Sequence, residues 1–282
     1  MNYLAQWLRH ASLGSYLAVA VCLAFVLVGI FAPLLVPVDP NLQSLQSRLL
    51  PPLSPHHLLG TDLLGRDVLA RLIAGARVPL IAAATAVSIS VALGVAVGLL
   101  SGYVGGVLDV ALMRITDAWL AFPFILLAIS IVGVLGSGLR NVIIALIASE
   151  WAIYVRLVRG QVLSLREREF VMSARMLGVS DFKIAVQHIL PAVWPSVIIV
   201  ATLEVGVVIV TEASLSFLGL GVSASQPTWG AMLSDGRAYL SSAWWLATLP
   251  GLIIFIVVLA INYLGNEIRD RMDPRGITRM PV

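Results

Sequence analysis

Six runs of apolar residues, each close to the length needed to cross a lipid bilayer, constrain this chain more than any other feature in it. A hydrocarbon core about 30 Å thick is crossed by about 20 residues of helix. Runs of that order occupy Leu13–Val36, Val78–Leu100, Ala118–Gly136, Asn141–Val158, Ala192–Leu218 and Trp244–Leu264. Hydrocarbon offers no hydrogen-bond partner, so the backbone of each run must satisfy itself as a helix. Only 12% of the residues are charged, where a water-soluble domain carries roughly a quarter. The expectation is an all-α, polytopic membrane protein with six transmembrane helices. Arg9 and His10 precede the first run, but its apolar core is longer than the roughly 7–15 residues of a signal peptide, so it reads as an uncleaved span. The single cysteine, Cys22, lies inside that run and has no partner for a disulfide or a cysteine metal site.

Connections on the cytoplasmic side carry the excess of Lys and Arg. With the N-terminus inside, Arg48, Arg66, Arg71, Arg77, Arg140 and Arg237 fall outside, and the other twelve of the 18 basic residues fall inside. Both termini and the connection between spans four and five are therefore expected in the cytoplasm. This topology also accounts for the basic pI, so nucleic acid is not an expected partner. In the second span Ser90, Gly94, Gly98 and Gly102 recur every four residues, a small-residue stripe that admits another helix, either as ordinary packing or as a moving seam.

The connection itself reads SLREREFVMSARMLGVSDFKIAVQHILP, Ser164 to Pro191, and concentrates charge in an otherwise apolar chain. Leu165–Leu177 lacks Gly and Pro and places Phe170, Ala174 and Leu177 on one helical face. Gly178 stands where a helix ends in a left-handed residue, and Ser180 with Asp181 supplies an N-cap and a first-turn charge. Phe182, Ala185, Val186 and Ile189 then recur at helical spacing until Pro191 closes the segment. The pattern is helix, glycine turn, helix, proline. Its apolar face must be covered, either by a partner protein or by lipid headgroups.

This segment resembles the EAA loop by which permease subunits of ABC importers engage their ATPases. The pattern Glu-Ala-Ala, three residues, Gly, nine residues, Ile-x-Leu-Pro lies on Met172, Ser173, Ala174, Gly178, His188, Leu190 and Pro191. Met172 replaces the glutamate, Ser173 the first alanine and His188 the isoleucine, while Glu169 and Glu167 offer a carboxylate nearby. HLLGTDLLGRDVLARLIAGARVPL (57–80), GYVGGVLDVALMRITDAWLAFP (102–123), EASLSFLGLGVSASQPTWGAMLSDGR (212–237) and NYLGNEIRDRMDPR (262–275) are similar, in order, to the C-type permease of dipeptide, oligopeptide and nickel importers.

The resemblance implies the type I importer permease fold in the bacterial cytoplasmic (inner) membrane. It divides the chain into 1–77 with the first span and an external loop, 78–275 as a five-span core with coupling loop 164–191, and a tail, 276–282. It implies a homologous second permease, two cytoplasmic ATPases that hold ATP and Mg, and an extracytoplasmic substrate-binding protein; besides these the chain meets only membrane lipid. The residues expected at the ATPase are Glu169, Met172, Ser173, Ala174, Gly178, Phe182, His188 and Pro191. Independently of the resemblance, the chain has no GxxxxGK[ST] loop and its one lysine, Lys183, follows Asp181 and Phe182, so another chain would bind ATP. No enzyme activity, cofactor or metal site is expected here.

Other residues admit competing readings. Glu150, Glu204 and Glu212 lie in or near spans, where they would either relay protons in a secondary carrier or pair locally. Arg156 is badly placed for Glu150 on one helix, so a pairing would reach another span. His10, His56, His57 and His188 all lie outside the spans, which disfavours a bare-nickel pathway but not a nickel chelate. Ser214, Ser216 and Ser223 have no membrane base to activate them. Trp229, Trp244 and Trp245 suit an outer aromatic belt or a binding-protein contact. The expected solute is a di- or oligopeptide, with a nickel complex or another small solute as runner-up and a proton-coupled carrier as the competing class.

Overall fold

The computed structural model describes residues 12–36, 38–223 and 225–272. Arg9, His10, Arg275, Arg279 and the 276–282 tail lie outside the described residues. Helix α1 (Leu13–Leu35) fits the first run; the Ser12 hydroxyl accepts from the Ser15 amide and caps it. Its narrow buried face, Ser15, Ala18, Phe25, Gly29 and Ala32, packs inward while Leu17, Leu23, Ile30 and Leu34 are exposed, as expected of a peripheral span. A long irregular stretch leads to α2 (Val68–Gly75), capped by the Asp67 carboxylate at 2.8 Å from the Ala70 amide, and Ala76, itself in the helical region, joins it to α3 (Arg77–Val104).

The third apolar run is not one straight span. It divides into α4 (Gly106–Leu120) and α5 (Phe124–Leu135), whose axes meet at 87°. Pro123 has no amide proton to continue α4, whose last amides close on Asp117 and Trp119, and the Pro123 carbonyl instead starts α5 by accepting from Leu127. At 12 residues α5 is about 18 Å long and cannot cross the bilayer alone. Among the described residues five helices are thus long and apolar enough to span, or six if the bent pair counts as one span.

Helix α6 (Leu139–Leu165) extends beyond the fourth run at its charged end and forms with α3 the most extensively packed pair. The small-residue stripe is this seam. A Cβ on Gly94 would fall inside van der Waals contact with Tyr154, one on Gly98 would lie 2.7 Å from the Val155 carbonyl, and one on Gly102 would lie 2.8 Å from Val162 Cβ. Arg156 pairs with Asp117 of α4 at 2.6 Å, so its partner does come from another element, and Arg159 grips Asp109 of α4 with two bonds of 2.6 and 2.7 Å.

After the 164–191 connection come α9 (Leu190–Phe217), α10 (Trp229–Gly236) and α11 (Trp245–Met272). At the end remote from that connection, Asp62 accepts from the Arg66 side chain at 2.6 Å and from its amide at 2.9 Å, while Arg71 lies 3.6 Å from the same carboxylate and Arg66 reaches Asp235 of α10 at 3.7 Å. Burial pushes the Asp235 carboxyl up, against the pull of Arg71 and Arg66. Only Trp244 fits the aromatic belt. Trp229 and Trp245 are buried and donate to the Leu72 and Thr61 carbonyls at 2.9 and 3.3 Å, because their indoles tie α10 and α11 to the irregular stretch. His57 is held by Asp67 at 2.8 Å.

Candidate docking site

The 164–191 connection departs from its sequence reading at its start. Leu165 still belongs to α6, and the chain turns through Arg166–Arg168 before α7 (Glu169–Met176) begins. Glu169 lies in the first turn and Arg175 in the last, each favourable to the helix dipole. The ending is as expected. Gly178 has φ +75°, the Val179 amide bonds the Ala174 carbonyl and the Gly178 amide bonds the Arg175 carbonyl, both at 3.1 Å. This is the Schellman arrangement, and Val179 packs beside Ala174 in the same apolar cluster.

Ser180 occupies the N-cap position of α8 (Asp181–Ile184), but its side chain makes no capping bond, contrary to expectation. Nor does Pro191 end the helix. A π turn over Ala185–Ile189 carries α8 straight into α9, with the Leu190 amide bonded to the Ala185 carbonyl. The widened turn accommodates a proline that cannot donate to the preceding turn.

The two faces of the helix pair also differ from the sequence reading. Val171, Ala174, Ile184 and Ile189 pack against Val158 and Val162 of α6, Val95 of α3, and Val193 and Val197 of α9, so this chain covers one face of the loop itself. Phe170 and Leu177, expected beside Ala174, point outward, because the ends of α3 and α6 meet the Val171 side of α7. Leu177, Met176 and Phe182 are 84%, 88% and 79% exposed, with Met172 beside them at 45%. Of the residues expected at the site, Ala174 and Gly178 build the frame, whereas Glu169, Met172, Ser173, Phe182, His188 and Pro191 are on the exposed side.

Glu167 pairs with Arg166 at 3.1 Å and Glu169 is exposed at the start of α7. Asp181 accepts from the Tyr103 hydroxyl of α3 at 2.6 Å and lies 3.8 Å from Arg175. Hydrogen bonding to Tyr103 above all raises the Arg175 guanidinium above its ordinary value. Tyr103, 78 positions before Asp181, was invisible to sequence reasoning. A groove of about 810 Å³ opens between the end of α3 and the helix pair, walled by Leu99, Leu100, Tyr103, Arg175, Phe182 and Val186. The turn is therefore anchored inwardly and presents an apolar patch, a groove and the Arg175 cation on its exposed side.

Of the three candidate proton-relay carboxylates, Glu150 and Glu204 interact with each other, and Glu212 has a separate partner. Glu212 accepts from Ser216 at 2.7 Å, one turn along α9. Glu150 is fully buried in α6, near Glu204 of α9. Of the serines weighed as nucleophiles, Ser214 donates to the Val210 carbonyl at 2.7 Å, and no group of three or more His, Cys, Asp or Glu suited to a metal occurs among the described residues.

Residues 94–277 match the family model described as binding-protein-dependent transport system inner membrane component. The chain is 42% identical over 262 residues, 93% of its length and 94% of the relative's, to the nickel transport system permease protein NikC of Escherichia coli K12. It is 42% identical to the dipeptide transport system permease protein DppC of Alkalihalophilus pseudofirmus, over 89% of this chain and 83% of that one. It is 45% identical to the glutathione transport system permease protein GsiD of Escherichia coli O6:K15:H31, over 89% and 82%. Among solved structures, an inward-facing MetNI methionine ABC transporter chain superposes with a TM-score of 0.59 at 18% identity, over 72% of this chain and 97% of that one.

Proposed function

The chain belongs to the family of binding-protein-dependent transport system inner membrane components, and from that premise we propose that it is the permease subunit through which an ATP-driven importer passes di- or oligopeptides. It is a multi-pass inner-membrane permease with the importer-permease fold. In the proposed assembly it pairs with a homologous second permease. Two ATPases hold ATP and Mg and dock on the 164–191 loop, and a binding protein delivers solute at the opposite end. Both termini and the loop then lie in the cytoplasm, and 78–275 acts as the core beside a peripheral first span.

The observation that carries this reading is the two-sided loop. Three large apolar side chains, Met176, Leu177 and Phe182, stand exposed on a turn that is packed from behind and pinned by Asp181. A loop lying on headgroups needs no such frame, whereas a moving partner transmits force only through a stiff contact. A peptide solute is favoured because two of the similar relatives are named for dipeptide and glutathione transport, and because His56 and His57 lie outside the spanning helices while His188 is exposed on the loop-bearing stretch before α9. The likeness to the nickel permease keeps a nickel chelate as the second reading.

Reconstitution in liposomes with both ATPases, the second permease and the binding protein is expected to give peptide uptake that requires ATP. Uptake by this chain alone under a proton gradient would overturn the proposal in favour of a secondary carrier.

A further inference from the structure

Docking does not use the polar groups buried halfway along α6 and α9. Glu150 lies about 22 Å from the loop-bearing end of α6, and Glu204 about 21 Å from the corresponding end of α9, taking 1.5 Å per residue. The two carboxylates are thus at one depth, and they are close enough to interact electrostatically. Glu150 is 0% exposed, and neither of its oxygens has a hydrogen-bond partner among the described residues. Tyr154, one helical turn along the same face, is equally buried, and its hydroxyl also has no partner, although it interacts electrostatically with both carboxylates. Gly94 of α3 packs directly against the Tyr154 Cβ and backbone, which seats that residue on the α3–α6 seam.

An unpartnered buried polar group costs about 1–3 kcal/mol, and ionisable groups at membrane depth face a polar interior or a water-filled path. Glu204 is half-buried on the face of α9 that also carries the buried Val197 and Val208. Of the three groups it is the one that reaches the surface of the chain. Two carboxylates and a phenol oxygen together offer acceptors to a compact donor cation. They lack the imidazole or thiolate that a transition metal prefers.

We propose that Glu150, Tyr154 and Glu204 form a mid-membrane binding site for a protonated amine carried by the transported solute. This site rests on the permease reading above and adds a substrate class to it. In the present conformation only Glu204 reaches the surface, so the amine meets Glu204 first and Glu150 when α6 and α9 part.

The test is uptake by the reconstituted transporter of trialanine, trilysine and N-acetyl-trialanine, for the unmodified chain and for Glu204→Gln, Glu150→Gln, Tyr154→Phe and Glu204→Asp. Co-purification of the ATPases verifies that each variant is assembled. Glu204→Gln is expected to lower trialanine and trilysine uptake at least tenfold while N-acetyl-trialanine changes less than twofold, with Glu204→Asp restoring most of the loss. Equal loss for all three peptides, or no loss, overturns the site while leaving the permease reading intact. So does undiminished uptake with an altered pH profile, which would assign the carboxylates to a proton alone. An unmodified transporter that imports only the acetylated peptide overturns the site as well. If it imports none of the three, the peptide reading falls and the site falls with it.

Discussion

Replacing Gly178 tests the docking turn at the residue on which its geometry depends. At φ +75° an L-residue places its Cβ against its own backbone, at a cost of about 1–2 kcal/mol, with β-branched residues at the upper end. No heavy atom lies within 4 Å of a Cβ built there, so within this chain the cost is conformational and not steric. What opposes opening of the turn is two backbone hydrogen bonds, from Val179 to Ala174 and from Gly178 to Arg175, at about 0.5–1.5 kcal/mol each, together with the seating of Val179. A penalty of about 2 kcal/mol nearly cancels them, so the turn is closed about half of the time and apparent ATPase affinity falls about twofold, or about fivefold where both bonds lie at the weak end of their range. Titration of the ATPase pair onto the permease pair in nanodiscs should rank the variants Gly178→Val weakest, Gly178→Ala intermediate and Gly178→Asn nearest to the original, since Asn tolerates the left-handed region. Three equal losses would place a partner atom against Gly178 and refute the conformational account. Three unchanged affinities would show that the turn is not the docking element.

The other expectations use the same two-faced frame and the seam above it. Phe182→Ala removes an apolar surface worth about 1.5–3 kcal/mol when buried, so ATPase binding should weaken about tenfold to a hundredfold in the nanodisc titration. Because Phe182 is 79% exposed in the chain alone, thermal stability in detergent should not change. Val171→Asp places a charge at a fully buried position of the inner face, so limited trypsin digestion should cut at Arg168 and Arg175 far faster than in the unmodified chain, even without the ATPases. Gly94→Ala forces a methyl against Tyr154 in the tightest seam of the bundle; overpacking costs about 1–3 kcal/mol, and the melting temperature should fall, which Gly160→Ala, in open space, should not reproduce.

What could be read in advance depended on whether a single local residue decided the outcome. Gly178 did, because only glycine enters the left-handed region without cost, and the Schellman turn lies where it was expected. The spacing of Gly94, Gly98 and Gly102 likewise announced a close helix contact, although not that the contact would be α6. The inner face of α7 was not legible. On an eight-residue helix the stripe through Phe170, Ala174 and Leu177 competes with the one through Val171 and Ala174, and only Val158 and Val162 of another helix choose between them. The bend at Pro123 was hidden by apolar residues on both sides, which made two helices look like one. Trp229 and Trp245 had the composition of a membrane belt, and their buried bonds to Leu72 and Thr61 span more than 150 positions of chain.

The unexpected continuity at Pro191 changes how the docking patch relates to the membrane interior. With a helix end at that proline, the loop would be a hinged attachment. As a single helical run from Asp181 to Phe217, it is the first part of a rod whose patch residue Phe182 and mid-span residue Glu204 are about 33 Å apart. The π turn at Ala185–Ile189 and Pro195 inside α9 interrupt the ladder between them, and Ala185 and Ile189 of that turn are buried, Ile189 in the loop cluster. Displacement of Phe182 by a partner therefore moves α9 along or about its axis. The α3–α6 pair, locked by its glycine seam, is attached to the same turn through Tyr103 and Asp181. Two stiff bodies joined at one end, carrying Glu150 and Glu204 on facing helices at one depth, separate those carboxylates when the joint rotates. Glu204 already reaches the surface, so such a rotation would uncover Glu150 and Tyr154 beside it.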